Sequence, residues 1–414
     1  MSDHTHLPAD TADLRVAARQ LLAEIAPAKG SADDYAHAFQ QGRITEAEYV
    51  QASKRWQAAL VERGWAGLAW PIEFGGQGRS PLEASIFAEE ARSYGVSDFA
   101  LAVGLRMVGP TLIKHGTRDQ QQRYLGPMLR GEEVWCQLFS EPDAGSDLAN
   151  IRTRAVRDGD EWIVTGHKVW TSKATFADFA VLLARTDPDA PKHRGMTYFL
   201  CDMRAPGVTV RPIEQMNGLR LFNEVFLDGL RVPADHVVGE LNGGWAVAMT
   251  TLLSERQMLG EGGGSVVVPP FTKLRALAQR RNRLGDHAVR QELAAAYIRA
   301  EVLRLVAVRA RQGGRAASGA EANILKLLAV EHQRRTADFA LRLLQADGML
   351  APTSAGDEQG AEHDEWAMLL LTAPSGRIAG GTDEIQRNLL GERQLGLPAE
   401  PRVDRDVPYR DLPR

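Results

Sequence analysis

The chain has 414 residues, long enough for two or three domains or one large multi-layer enzyme. Its 53 acidic and 49 basic side chains leave a formal charge of -4, which argues against general nucleic-acid or polybasic membrane binding. Two distant cysteines, Cys136 and Cys201, exclude a disulfide scaffold and a cysteine-based zinc site, and they fit a reducing cytosol.

The first residues, MSDHTHLPADTADLRV, contain no apolar stretch behind a basic start, so no secretory signal is expected. Leu14, Ala17, Leu21, Leu22 and Ile25 recur at three- and four-residue steps and predict helix within residues 11–64. A second helix over Glu46–Arg63 would stop at Gly64. The loop WAGLAWPIEFGGQGRSP follows, dense in Trp, Pro and Gly. Helix resumes over 82–130, with interruptions expected at Gly95, Pro110, Gly116 and Pro127.

The texture changes near Val134. From Trp162 to Val232 the runs EWIVTGHKVW, FADFAVLLARTD, GMTYFLCDM, GVTVRPIE and NEVFLDGLRVP are strand-like and are separated by Gly, Pro, Asp and Asn. Asp158-Gly159 and Thr165-Gly166 are predicted turns. After Gly239 the pattern reverts to helix: Gly244–Leu259, then a GEGGGSVVVPP connector, then Phe271–Arg311 and Glu321–Leu350. Pro352–Glu365 is polar and predicts a loop, and a last helix starts near Asp383. The order α, β, α lacks the βαβ rhythm of a doubly wound sheet. The expected architecture is α+β: an all-α domain over 1–132, an antiparallel β domain over 133–243 and a helical domain over 244–414. No apolar run approaches the ~18 residues of a membrane span, so a soluble, cytoplasmic protein is expected.

Several chemistries are excluded by what is missing. There is no GxxxxGK[ST] phosphate loop, no HExxH, no GxSxG elbow and no GxGxxG after a strand. The ten histidines are scattered, and no metal site is expected. Four segments carry chemistry instead. Residues 135–155, WCQLFSEPDAGSDLANIRTRA, present a compact polar loop whose amides and hydroxyls suit an anionic or electron-accepting group; a domain-entry turn explains the same residues. In GHKVWTSKATFADF, Trp170 precedes two hydroxyls at a strand end and could cover a flat cofactor; a half-buried strand Trp is the alternative. In TLLSERQMLGEGGG, Glu255-Arg256 interrupts an apolar helix, as a desolvated base or as a structural ion pair. In SGRIAGGTDEIQRN, Thr382 or Asp383 caps a helix whose N-terminus could face an anion, or is simply a cap.

In this order the segments resemble the acyl-CoA dehydrogenase family, most specifically through SEPDAGSD, GHKVWTS and GGTDEIQRN, with the likeness running from Trp65 to Arg393. The resemblance implies a helical domain, a central β domain and a C-terminal four-helix bundle. It implies non-covalently bound FAD, an acyl-CoA substrate, an electron-transfer flavoprotein as acceptor and a homotetramer or dimer of dimers. Phe139, Ser140, Gly145 and Ser146 would meet the flavin, with Ser146 also touching the thioester. Trp170, Thr171 and Ser172 would lie along the isoalloxazine. Thr382 and Glu384 would contact the pyrophosphate and adenosine region, and Gly381 would border the substrate. Arg281, in RNRLG, matches an arginine that reaches the FAD of a neighbouring subunit, and Gln291 matches a cofactor-binding glutamine that follows it after one gap.

The resemblance also bears on the base. Many members carry a glutamate just before the Gly-Thr of the last turn, where this chain has Gly380. A minority, the isovaleryl- and long-chain-like branch, place it at the position of Glu255. Glu255 is therefore expected to remove the Cα proton while a hydride leaves Cβ for flavin N5, with Arg256 steering the thioester arm. Gly380 leaves room for a branched, cyclic or bulky acyl group. Two alternatives share the scaffold: an oxygen-using flavin monooxygenase or oxidase, and a shared-site or non-catalytic subunit of a mixed tetramer.

Overall fold

The computed structural model describes residues 10–40, 43–260, 269–312, 320–350, 358–401 and 403–412. Residues 261–268 of the glycine connector lie outside them, as do residues 352–357 of the expected polar loop.

The N-terminal part is helical: α1 (Thr11–Ile25), α2 (Tyr35–Gln40), α3 (Glu46–Glu62), α4 (Pro81–Ala91), α5 (Gly109–His115) and α6 (Arg118–Leu129). Local chemistry starts three of them. The hydroxyls of Thr45, Ser80 and Thr117 accept from the amide three residues on, and Glu48, Glu83 and Gln120 accept from the cap amide in return. Pro127 does not interrupt α6 as expected. The helix runs on to Leu129, because burying Leu125, Met128 and Leu129 offsets the one backbone bond that proline removes.

A single sheet follows: β1 (Trp135–Leu138), β2 (Arg154–Asp158), β3 (Glu161–Ser172), β4 (Phe179–Arg185), β5 (Met196–Asp202), β6 (Val208–Ile213), β7 (Phe222–Pro233) and β8 (Val237–Val238). Its order is β6-β7-β3-β2-β4-β5-β8, with β1 beside β4. The ladders are antiparallel except where β1 and β2 meet β4. Alternation along β4 separates two cores. Val181 and Leu183 join Trp56, Leu125 and Tyr198 against the helices, while Ala180, Leu182 and Ala184 face Trp162, Val164, Phe199 and Leu227.

The Asp158-Gly159 turn forms between β2 and β3, with Gly159 at φ +59°. Thr165-Gly166 is not a turn; both residues lie inside β3. A Cβ on Gly166 would stand 2.1 Å from Thr153 Oγ1, so this glycine serves close approach, and the ladder to β7 shifts register beside it.

The contacts divide the chain into two compact units: residues up to Ser254 with those from Pro401, and Glu255–Glu400. The division falls within α7 (Gly244–Gly260). The second unit contains α8 (Phe271–Arg280), α9 (His287–Gln312), α10 (Ala320–Leu344), α11 (Glu358–Gly376) and α12 (Asp383–Arg393). Leu277, Leu293, Phe339, Leu343, Trp366 and Leu369 bring α8 to α11 around one core. The expected continuous stretch from Phe271 breaks after Arg280, where Asn282 takes φ +54°. Helix α11 begins at Glu358, inside the segment expected as a loop; burial of Trp366 and Leu369 further along overrides its polar start.

Candidate active site

In the first unit, two stretches meet at the top of the sheet. Phe139 and Ser140 leave β1, and the Val169 amide of β3 donates to the Ser140 carbonyl at 2.9 Å. Beyond them, Glu141 and Ala144 exchange two backbone bonds of 3.1 Å, closing a tight turn over Pro142-Asp143. Gly145 and Ser146 then stand exposed, and a Cβ on Gly145 would meet nothing within 4 Å. The expected loop is therefore open, with its backbone accessible.

Two buried residues that sequence reasoning missed hold this loop. Lys168 Nζ donates to the Phe139 carbonyl at 2.9 Å, to Glu141 Oε1 at 2.8 Å and to the Leu183 carbonyl at 2.9 Å. Glu141 in turn accepts from the amides of Arg152 at 2.6 Å and Thr153 at 2.9 Å. Burial pushes the Glu141 carboxyl up, but Lys168 and these donors outweigh it and hold it below the ordinary carboxylate range. Both residues sit inside the quoted motifs. The available signal was a lysine between Val164 and Val169 in the middle of a strand whose neighbours are largely buried.

The other stretch is strained. Trp170 takes φ +62° and Lys173 φ +65°, flanking Thr171 and Ser172, and the β3–β7 ladder shifts register between Lys168 and Thr171. Surrounding contacts hold this shape. Asn223 Nδ2 donates to the Thr171 carbonyl at 2.9 Å, and Lys173 Nζ pairs with Glu46 at 2.6 Å while lying over the rings of Phe39, Tyr49 and Phe99. The result is an indole left 59% exposed beside a Thr171 hydroxyl that is buried and unpartnered among the described residues. An exposed flat ring next to an unsatisfied polar atom suits a flat heteroaromatic group with a polar rim.

In the second unit, Glu255 and Arg256 are both half-buried on α7. Burial lowers the Arg256 guanidinium; the Glu255 carboxylate pulls it back up and Arg393 lowers it further. The turn before α12 contains Gly380 at φ +66° and Gly381 at φ +87°. Buried Gln386 clamps it, donating from Nε2 to the carbonyls of Gly380 at 2.8 Å and Gly381 at 3.4 Å. Thr382 provides the cap, its hydroxyl accepting from the Ile385 amide at 3.2 Å. Asp383 instead pairs with buried Lys326 at 3.0 Å and with Arg377 at 2.8 Å. Glu384 is exposed and lies 3.9 Å from Arg387. Arg281 pairs with Asp347 at 2.5 Å, and Gln291 is exposed near the start of α9.

No three His, Cys, Asp or Glu side chains among the described residues group as metal ligands. No helix among them is long and apolar enough to cross a membrane. Residues 13–132, 136–229 and 242–395 match, in turn, the N-terminal, middle and C-terminal domains of acyl-CoA dehydrogenase. The chain belongs to the acyl-CoA dehydrogenase family. It is an oxidoreductase of that class, and members of the family typically bind FAD. It shares 38% identity over 355 residues with the acyl-CoA dehydrogenase IpdE1 of Mycobacterium tuberculosis, covering 86% of this chain and 90% of that one. Among solved structures, the Tcur3481-Tcur3483 steroid ACAD is 32% identical, with a TM-score of 0.79 over 96% of this chain and all of that one (100%). The ChsE4-ChsE5 complex from Mycobacterium tuberculosis is 27% identical, with a TM-score of 0.75 over 97% and 100%.

Proposed function

We propose that this acyl-CoA dehydrogenase oxidises the α,β bond of an acyl-CoA thioester with FAD as electron acceptor and Glu255 as the base. One observation carries the base assignment. The turn before α12 has a glycine in the left-handed region at Gly380, where no carboxylate is available, while half-buried Glu255 stands on α7 beside a cation, Arg256.

Bound flavin would supply the two-electron acceptor. The chain's own residues do the rest. The Trp170 indole and the Thr171 and Ser172 hydroxyls receive the flat ring system, and the open Gly145-Ser146 loop offers an amide and a hydroxyl to polar groups. The Thr382-capped start of α12 presents backbone N–H groups to phosphate. Glu255 accepts the Cα proton, and Arg256 holds the thioester arm. A positioned base is worth ~10²–10⁴ in rate. Glu255→Gln is therefore expected to lose a factor of that order in turnover while the protein stays yellow; near-normal turnover would remove Glu255 from the role.

A bulky or cyclic acyl group is the proposed substrate class. The missing side chain at Gly380 and the likeness to a steroid ACAD support it. Anaerobic titration of the flavin absorbance with straight-chain, branched and ring-bearing acyl-CoAs ranks them directly. An electron-transfer flavoprotein is the proposed acceptor, and a cytoplasmic location agrees with two free, buried cysteines. The proposed assembly is a homotetramer or dimer of dimers. A second reading, a shared-site subunit of a mixed oligomer, is favoured by the paired names of both solved neighbours. A purified chain that is homotetrameric and reduced by an acyl-CoA removes it; a colourless chain that turns yellow only with a partner supports it.

A further inference from the structure

The residues that match the family end at 395, yet residues 403–412 group with the first unit, and Tyr409 packs on Arg185 of β4. The tail docks on the segment between β4 and β5. Pro408 bridges Pro191, the Tyr409 amide donates to the Ala190 carbonyl at 3.0 Å, and the Arg410 amide donates to Pro188 at 3.0 Å. Arg410 also pairs with Asp189 at 2.7 Å.

Two routes run from this tail to one short segment. Asp404 pairs with Lys192 Nζ at 2.6 Å, and the same Nζ donates to both carboxylate oxygens of Asp147, at 3.0 and 3.1 Å. Lys192 is largely withdrawn from water, so each carboxylate it loses leaves a poorly solvated cation. On the second route, the Tyr409 ring lies 3.7 Å from the Arg185 guanidinium. Arg185, itself buried, donates to the carbonyls of Ala149 at 2.7 Å, Ile151 at 3.4 Å and Lys192 at 3.1 Å. Both routes therefore end on Asp147–Ile151, which continues directly from Gly145-Ser146.

We propose that the segment 403–412 is a strap that sets the Gly145–Ile151 loop, with Lys192 and Arg185 as positioning residues between them. This rests on the proposed role of Gly145-Ser146 in holding the flavin. The strap touches no reacting atom; it fixes the backbone that does. The tail covers Lys192, so removing it exposes the ammonium to water, where its pairing with Asp147 is screened and weak, and the same change strips the Tyr409 ring from Arg185, so the loop is held less firmly.

The test compares the full chain with a chain ending at Glu400 and with Lys192→Met, Tyr409→Ala and Tyr409→Phe. Hydrogen exchange at the amides of 147–151 is read without ligand, and FAD affinity is read by fluorescence titration. Truncation, Lys192→Met and Tyr409→Ala are expected to speed exchange at 147–151 and to weaken FAD binding by about tenfold each, the factor that one lost charge-assisted contact gives. Tyr409→Phe keeps the ring over Arg185 but loses the hydroxyl that also favours the guanidinium cation, and it is expected to fall between the parent and Tyr409→Ala. Unchanged exchange in a folded truncated chain overturns the strap, and faster exchange with unchanged FAD affinity overturns its role at the site. Should the truncated chain fail to fold, the point variants decide by the same two readouts. The exchange result is independent of the dehydrogenase assignment, which fails separately if Glu255→Gln stays active.

Discussion

Lys168 Nζ and Glu141 Oε1 lie 2.8 Å apart in a region both side chains share with almost no water. The lysine comes from the middle of β3 and the glutamate from the loop after β1, so the pair joins the two stretches that carry the exposed indole and the open polar turn. Removing one partner leaves a buried charge uncompensated. Lys168→Met is expected to destabilise the first unit by roughly 3–5 kcal/mol, because breaking a buried pair from one side costs far more than replacing both partners. Glu141→Gln combined with Lys168→Met should recover part of that loss. Urea unfolding of the three proteins measures it, and an additive double variant would show that the pair is not coupled.

Acid is expected to act on the second unit in a defined window. Burial, with a smaller push from Arg299, lowers the imidazole of His332 on α10 to about 4. The unfolded chain, with an ordinary value near ~6.5, therefore binds the extra proton first. The stability from the neutral ring is complete above that pH and is lost as pH falls toward 4, on the order of 3 kcal/mol. Asp383 adds in the same direction. Burial opposes its ionisation, but Lys326 and Arg377 hold its carboxyl below the usual range, so its contribution is lost at still lower pH. Unfolding midpoints followed from pH 7 to 4 should fall for the parent and fall less for His332→Leu.

Much of this arrangement was legible in the residues, and the exceptions share a cause. Apolar periodicity marked α1 and α3, which each bury one face, and β-rich composition marked the long strands β3, β4 and β7, of which β4 is buried on both faces. Thr382 was readable as a cap because capping chemistry is local. Thr165-Gly166 misled because a glycine required by Thr153 across the sheet looks the same as one required by a turn. Lys168 and Glu141 carried no assigned role in the sequence, since only the folded chain brings them together. The docking of Tyr409 on Arg185 joins residues more than 200 apart, and no local pattern encodes that. Gly380 was readable as a missing carboxylate, but its positive φ was not.

That φ makes Gly380 testable. A non-glycine residue at +66° pays roughly 1–2 kcal/mol in backbone strain. Gly380→Glu is expected to lower the stability of the second unit by about that amount, and Gly380→Asn by less, since asparagine tolerates the left-handed region. Placed in a Glu255→Gln background, Gly380→Glu also asks whether the turn can host the base. Thermal unfolding together with flavin reduction by an acyl-CoA separates the two effects. Recovery of turnover without any loss of stability would contradict the strain argument.

Trp170 is strained in the same way but for the opposite reason. Its indole is 59% exposed, so little of its apolar surface is buried in return for a φ of +62°. A bulky aromatic side chain is a poor occupant of that region, and such strain persists where the surroundings over-determine it, here through Asn223 on the Thr171 carbonyl and Lys173 in its aromatic cage. If the indole is held out to cover a flavin, stability and binding should move apart on substitution. Trp170→Asn is expected to raise the unfolding midpoint of the flavin-free protein by a few degrees, as relief of ~1 kcal/mol implies. The same change should weaken FAD binding several-fold by removing a stacking surface. Calorimetry of the stripped protein and fluorescence titration with FAD read the two separately. A variant that loses stability and binds FAD unchanged would show that the indole serves the fold alone.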